Sequence, residues 1–336
     1  MKKKIINIIK MKIIIFLGFL CTLLICELTR HSGDVLKREK IFIEAHRGVS
    51  KGQINHNSKE AILNSIESGV ESFETDAWLT KDKKVVLSHD DFIRMYDERY
   101  RFHEYDWSEI KDLKTMYGYN IPLLEDIMSI TKGKIFMNLE LKDDNIEDMW
   151  EKVAELIEKY DYSNQISISS FKYKYYQKVQ DYNEKNNKTI VFGFLKVTSA
   201  NFDYKKPNHQ ISLNHGFITD DVVKNAHDNG MTVAAWFFSE ILIDNYYSLF
   251  EKGVDVIITD YPMKVAEQLE LYENGEIYLE GCESVIDRDN KLPSCNKCKI
   301  GYQKVQIIEQ DRNLCKLKYE LDPDIYIYKR YFWDIY

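Results

Sequence analysis

At 336 residues, 44% hydrophobic and 30% charged, the chain is long enough and apolar enough to bury a full core, which excludes a disordered or fibrous protein. Five prolines and fourteen glycines, scattered along the sequence, exclude a long flexible linker or a repeat array and leave one large domain with a small companion. The net charge of −8 at pH 7 includes five lysines in the first twelve residues, so the rest is more acidic still and unsuited to a phosphate backbone; nucleic acid is excluded as a partner.

Those lysines, Lys2, Lys3, Lys4, Lys10 and Lys12, precede an uncharged apolar run from Ile13 to Cys26. A basic n-region followed by an h-region reads as a signal peptide or an N-terminal membrane anchor over residues 1–30, with everything after Thr29 exported. The run is short for a spanning helix, and no small-residue cleavage site follows it, so cleavage and anchoring both stay open. Leu23-Leu24-Ile25 ahead of Cys26 lacks the small residue that a lipoprotein signal wants. The expected location is the outer face of a membrane, or the periplasm or extracellular space if the leader is cut.

Beyond the leader, eight β-branched and aromatic runs read as strands: Ile41 to His46, Ser72 to Trp78, Lys134 to Leu141, Gln165 to Ser170, Thr189 to Leu195, His209 to Leu213, Met231 to Phe237 and Val254 to Thr259. Helices are predicted between them, among them Ser58 to Ser68, with Asn57 as cap, Glu60 three residues on and Gly69 at its end. Asp143 to Tyr160, Asp220 to Asn229 and Glu240 to Lys252 follow the same pattern. Eight strand-then-helix units are the count of a TIM (β/α)8 barrel, here over residues 38–270, with a doubly wound open sheet as the structural alternative.

From Asn274 the alternation breaks. Gly275 to Leu279, Gln303 to Ile308, Leu314 to Tyr319 and Ile325 to Phe332 read as β-rich pieces of a small module over residues 274–336 that holds Cys282, Cys295, Cys298 and Cys315. A single Cys-x-x-Cys with no nearby histidine argues for two disulfides over zinc in an exported chain, without fixing their pairing. Cys21 and Cys26 read as small hydrophobes of the leader.

In a parallel barrel, chemistry gathers at the C-terminal ends of the strands. There the sequence has His46-Arg47-Gly48, Glu74 and Asp76, Ser88-His89-Asp90, Glu140 and Lys142, and Trp236. Residues i and i+2 of a strand share a face, so Glu74 with Asp76 and Glu140 with Lys142 each present two polar groups together. Three carboxylates at one mouth need neutralising, and a divalent oxygen-ligated cation, Mg²⁺ or Ca²⁺, is the simplest means. Two histidines, an arginine and a lysine beside it suit phosphodiester cleavage.

These residues, with Thr80-Lys81-Asp82, Ile121-Pro122-Leu123-Leu124-Glu125, Ser170-Phe171 and Gly253-Val254-Asp255 through Thr259-Asp260-Tyr261-Pro262, resemble the glycerophosphodiester phosphodiesterase family in order and spacing. The resemblance runs from Ile41 to Gln268. It implies that Glu74, Asp76 and Glu140 hold the metal, that His46 and His89 are the acid–base pair, that Arg47 and Lys142 bind the phosphate, and that Trp236 walls the alcohol pocket. The implied reaction is hydrolysis of a small or lipid-derived glycerophosphodiester to glycerol 3-phosphate and an alcohol. A lyase of the phospholipase D type, forming a cyclic phosphate, and a barrel that binds envelope polymer without turnover are the alternatives.

Two departures stand out. Where the family reads Pro-Glu-Asn-Thr, this chain has Asn55-His56-Asn57-Ser58, and its usual Asp-Gly turn is Asp82-Lys83. His56, His103, His215 and His227 are expected at the surface or in loops.

Overall fold

The computed structural model describes residues 41–49, 56–240, 243, 246–273, 276–280, 305–311 and 314–319. The chain divides into two compact units, 1–39 and 40–336, and the first lies outside the described residues. The leader, Cys21, Cys26, Asn55, the cysteines Cys282, Cys295 and Cys298 and the piece Ile325 to Phe332 therefore lie outside them too. Among the described residues no helix is long and apolar enough to cross a membrane.

In chain order the elements are β1 (Phe42–Ala45), α1 (Lys59–Glu67), β2 (Ser72–Leu79), β3 (Val85–Leu87), a hairpin of β4 (Phe92–Met95) and β5 (Glu98–Arg101), α2 (Trp107–Ile110) and α3 (Leu124–Thr131). Then come β6 (Phe136–Leu141), α4 (Ile146–Lys159), β7 (Ile166–Ser170), α5 (Lys174–Asn186), β8 (Phe192–Lys196), β9 (Gln210–Asn214), α6 (Asp220–Asp228), β10 (Thr232–Trp236), α7 (Tyr247–Lys252), β11 (Val256–Thr259) and α8 (Pro262–Glu273). Eight strands pair in parallel in the order β1-β11-β10-β9-β8-β7-β6-β2, and a short β1–β2 seam, Glu44 opposite Ser72 and Ala45 opposite Phe73, closes the ring. This is the expected (β/α)8 barrel, with all eight predicted strands in it. The open doubly wound sheet is excluded by the closing seam. The short β3 lies antiparallel on β2, with Leu87 opposite Ala77.

Alternation decides what each strand buries. Phe73, Thr75 and Ala77 of β2, Met137, Leu139 and Leu141 of β6, and Ile257 of β11 are all buried, and all but Thr75 belong to the large core cluster shared with the helices. The alternate residues fill the barrel. Low in it, Phe42, Ala234, Val256 and Ile258 pack together, and the buried Glu44 accepts from Asn138 Nδ2 at 2.8 Å. One step further along β1, β2, β6 and β11 the same inward register brings His46, Asp76, Glu140 and Asp260 to the mouth.

Three expectations are corrected. The connection from β8 to β9 carries no helix: Asn201 and Asn208 adopt φ of 55° and 65°, and Phe202 and Tyr204 pack against the core where a helix face would. The helix predicted from Glu240 begins only at Tyr247, because Glu240 is buried among Thr259, Asp260 and Tyr246. The cap of α1 is Ser58, whose side chain accepts from the amide of Ala61, and Asn57 points elsewhere. Lys83, in the Asp82-Lys83 turn, takes the left-handed conformation that glycine fills more easily, at φ 61°.

After the barrel, β12 (Glu276–Glu280), β13 (Val305–Asp311) and β14 (Leu314–Tyr319) form an antiparallel sheet in the order β12-β14-β13. Three of the four β-rich pieces expected in this extension are thus strands, and Cys315 is on the middle one.

Candidate active site at the barrel mouth

The site begins where β1 ends. The His46 amide donates to the Thr259 carbonyl at 2.9 Å, continuing the β1–β11 ladder, and the chain then turns sharply through Arg47 at φ 57° and Gly48 at φ 80°. A Cβ on Gly48 would stand 2.8 Å from the Ala61 carbonyl carbon, so only glycine lets this turn lie against α1. The turn aims the Arg47 amide at Glu74 Oε2, 3.1 Å away, and its guanidinium at Asp76, with Nε 3.4 Å from Oδ2.

Glu74, Asp76 and Glu140 converge as the strand register requires, since Asp76 lies opposite Glu140 across the β2–β6 ladder. One oxygen from each lies within 4.8 Å of the others. At such separations each like-charged pair costs roughly 3–4 kcal/mol at an effective dielectric of about 20. Burial, followed by repulsion from Asp76 and Glu140, raises Glu74 well above the usual carboxylate range. Burial and Asp76 push Glu140 up to about 8. Asp76 goes the other way: burial opposes its charge, but Lys142 and Arg47 beside it hold it below the usual range. Lys142 Nζ donates to Asp76 Oδ1 at 3.0 Å and lies 3.6 Å from Glu140 Oε1. Burial disfavours its charge, yet Asp76 and Glu140 outweigh that and raise its pKa. Asn57 fixes Asp76 further, donating from Nδ2 to Oδ2 at 2.9 Å while its Oδ1 accepts from Thr75 and from the Asp76 amide. An all-oxygen donor set that is costly to ionise on its own fits a hard divalent cation.

Two imidazoles flank the cluster. His46 Nδ1 is 2.7 Å from Asp260 Oδ1, which turns Nε2 toward Glu74 Oε2 at 3.9 Å. His89 follows Ser88, whose amide donates to the Asp76 carbonyl at 3.0 Å, and its Nδ1 is 2.9 Å from Asp90 Oδ1. A carboxylate at Nδ1 orients each ring and leaves Nε2 for another partner. Burial, then the nearby Arg47, lowers the His89 pKa, so this ring rests neutral.

Trp236 ends β10, where its indole N–H donates to the Ser212 carbonyl at 3.2 Å. Phe171 and Phe238 meet its ring edge-on, at 5.9 and 4.8 Å between centroids, and are 54% and 73% exposed. Phe171 follows β7, three strands from β10, so this contact reaches over the ends of β8 and β9. The mouth therefore has a charged side on β1, β2, β6 and β11 and an aromatic side on β7 and β10.

Sequence reading brought seven of its eight site residues to the charged side and Trp236 to the aromatic one. It missed Asn57, Asp260 as the partner of His46, and Glu240, which accepts from Thr259, Tyr246 and the Asp260 amide and is pushed by burial up to about 7. His56 is in a loop as expected, between β1 and α1, but turned inward. Instead of facing solvent, this ring lies 6.1 Å from that of His46, and its Nε2 is buried 3.8 Å from Asp260 Oδ1 with no hydrogen-bond partner. Burial lowers its pKa to about 4, against the opposing pull of Asp260. His227, 2.8 Å from Asp255, and His103 are exposed as expected, and His215, in the turn after β9, stacks on Phe237.

The model of the glycerophosphoryl diester phosphodiesterase family matches residues 46–264. A glycerophosphodiester phosphodiesterase of Bacillus altitudinis is 28% identical over 254 residues, covering 68% of this chain and 99% of its own. An uncharacterized protein of Bacillus subtilis is 27% identical over 243 residues, covering 68% and 98%. Among solved structures, a glycerophosphoryl diester phosphodiesterase from Parabacteroides distasonis aligns with a TM-score of 0.53 at 27% identity, over 68% of this chain and 85% of that one. A phosphodiesterase of Oleispira antarctica, in complex with its product sn-glycerol-3-phosphate, aligns with a TM-score of 0.59 at 22% identity, over 67% and 95%.

Proposed function

Because the chain belongs to the glycerophosphoryl diester phosphodiesterase family, we propose that it hydrolyses glycerophosphodiesters to glycerol 3-phosphate and an alcohol, by metal-dependent acid–base catalysis at the barrel mouth. The observation that carries this reading is the convergence within 4.8 Å of three carboxylates, Glu74 and Asp76 buried and Glu140 half-buried, flanked by Arg47 and Lys142 and faced by the His46 ring.

Glu74, Asp76 and Glu140 hold the cation, Mg²⁺ or Ca²⁺, which supplies positive charge against the phosphoryl oxygens. Arg47 and Lys142 bind the same phosphate from either side of Asp76. His46 and His89 move the protons: one ring takes the proton of the attacking hydroxyl, either that of water or that of the substrate's own glycerol, in which case water then opens the cyclic phosphate to the linear product. The other gives a proton to the departing alcohol oxygen as the phosphorus–oxygen bond breaks. Asp260 and Asp90, behind the two Nδ1 atoms, keep Nε2 of each ring turned outward for this work. Trp236 walls the alcohol pocket. The sequence of residues 1–30 supports export and retention at the outer face of a membrane.

The test is a substrate panel with metal titration. Glycerophosphocholine is incubated with the chelated protein and with added Mg²⁺ or Ca²⁺, and products are resolved by phosphorus NMR. Linear glycerol 3-phosphate that appears only with the cation is expected; a cyclic phosphate as the end product, or turnover indifferent to chelation, overturns the assignment.

A further inference from the structure

Ten large apolar side chains are exposed among the described residues, and their distribution is one-sided. Seven of them lie just past the C-terminal end of a barrel strand, before or within the first turn of any helix that follows. Phe171 and Tyr173 follow β7, Val197 follows β8, Phe217 follows β9, Phe238 follows β10, and Tyr261 and Met263 follow β11. The other three, Tyr96, Met116 and Tyr117, are in the insertion between β3 and α3. None lies in a helix-to-strand connection or on the outer face of a helix beyond its first turn. Chance exposure scatters apolar groups singly over a surface, whereas segregation around one opening marks a contact surface.

We infer that the mouth of the barrel docks on a lipid surface, so that the enzyme takes phosphodiesters of lysolipid type from the layer in which they are embedded. Three observations favour lipid over a protein partner. The rim is a discontinuous arc of tips on separate loops after β7 to β11, shaped for shallow insertion at several points rather than for one complementary patch. Its apolar members are mostly Phe and Tyr, alternating with Lys172 and Lys174 after β7 and with Lys196 before Val197, which is the composition of a membrane–water boundary. The sequence itself brings the chain to a bilayer through the lysines and apolar run that end at Cys26. The Phe171–Trp236–Phe238 wall, exposed and without a free hydrogen-bonding group, then offers an apolar path from that surface to the charged site. The inference rests on the proposed function for its substrate but not for its docking.

The test uses the full chain in vesicles of equal parts phosphatidylcholine and phosphatidylglycerol, comparing it with Val197→Asp/Phe217→Asp/Met263→Asp and with the matching triple serine variant. Circular dichroism melts establish that all three are folded. Tryptophan fluorescence of the parent is expected to be quenched by brominated phosphatidylcholine more strongly than that of either variant. Turnover of lysophosphatidylcholine in the vesicles is expected to fall about tenfold or more, while turnover of soluble glycerophosphocholine stays within about twofold. Equal quenching in parent and variants, or losses that are equal for the two substrates, overturns the docking. A parent that quenches as expected yet hydrolyses neither substrate leaves docking supported and refutes the reading of the site.

Discussion

The two sides of the barrel mouth are built on opposite principles. On the charged side every group is fixed by another: Asp76 alone is held by Lys142, Arg47 and Asn57, and its neighbours Glu74 and Glu140 are raised by burial and by one another. On the aromatic side Trp236 has one hydrogen bond, to the Ser212 carbonyl, and its two ring neighbours face solvent. The first is a device for stabilising a defined charge, the second a surface tolerant of what it touches. On the proposed function the contrast makes reaction and leaving-group choice separable, and substitutions ought to divide accordingly.

The largest effects are expected on the charged side. His46→Ala and Glu74→Ala should each lower kcat by about a thousandfold, measured by coupled detection of glycerol 3-phosphate, because on the proposed mechanism one removes a proton carrier and the other a ligand of the cation. Unchanged rates in both would break the division at its root. Asp260→Asn should cost about tenfold to a hundredfold and alter the pH profile of kcat, since it keeps the shape but not the charge behind His46 Nδ1. Trp236→Ala should raise KM by about tenfold with a smaller change in kcat, which steady-state kinetics on several leaving alcohols would separate.

Two smaller effects sharpen the comparison further. Glu140 titrates near 8 in the fold against an ordinary value near 4.5, so the folded chain holds an extra proton between those limits and its stability without cation falls as pH rises across them. A cation that displaces this proton should therefore raise Tm little at pH 5 and several degrees at about pH 8, read by thermal melts with and without Mg²⁺. His56→Glu should lower the cation concentration giving half-maximal activity by a few-fold, because it adds a negative charge beside Arg47 and Asp76 where a neutral ring now stands.

The barrel was legible in the sequence because each strand's outward face is apolar, as with Phe73, Leu139 and Ile257, and that pattern is local. The carboxylates were legible for the same reason: two residues apart on a strand is enough to share a face. What escaped reading depends on partners remote in sequence. Asp260 meets His46 across 214 residues, and only the β1–β11 ladder brings them together. Asn57 has the look of a helix cap, and its diversion to Asp76 becomes visible only when β2 lies beside it. His56 is the loop residue it looked like, but nothing within reach in the sequence announces that the loop turns it toward Asp260 and His46. The helix expected between β8 and β9 failed on local grounds, where the asparagines at 201 and 208 already spoke for a turn.

The β1–β11 ladder carries one more consequence. Phe42 pairs with Val256 and Ala45 with Thr259, so the first strand of the barrel must wait for its last. Contacts of such sequence separation form slowly. A nascent chain thus has no closed ring and no oriented His46 until residue 260 has emerged, so the charged side of the mouth cannot assemble before about three quarters of the chain has been made.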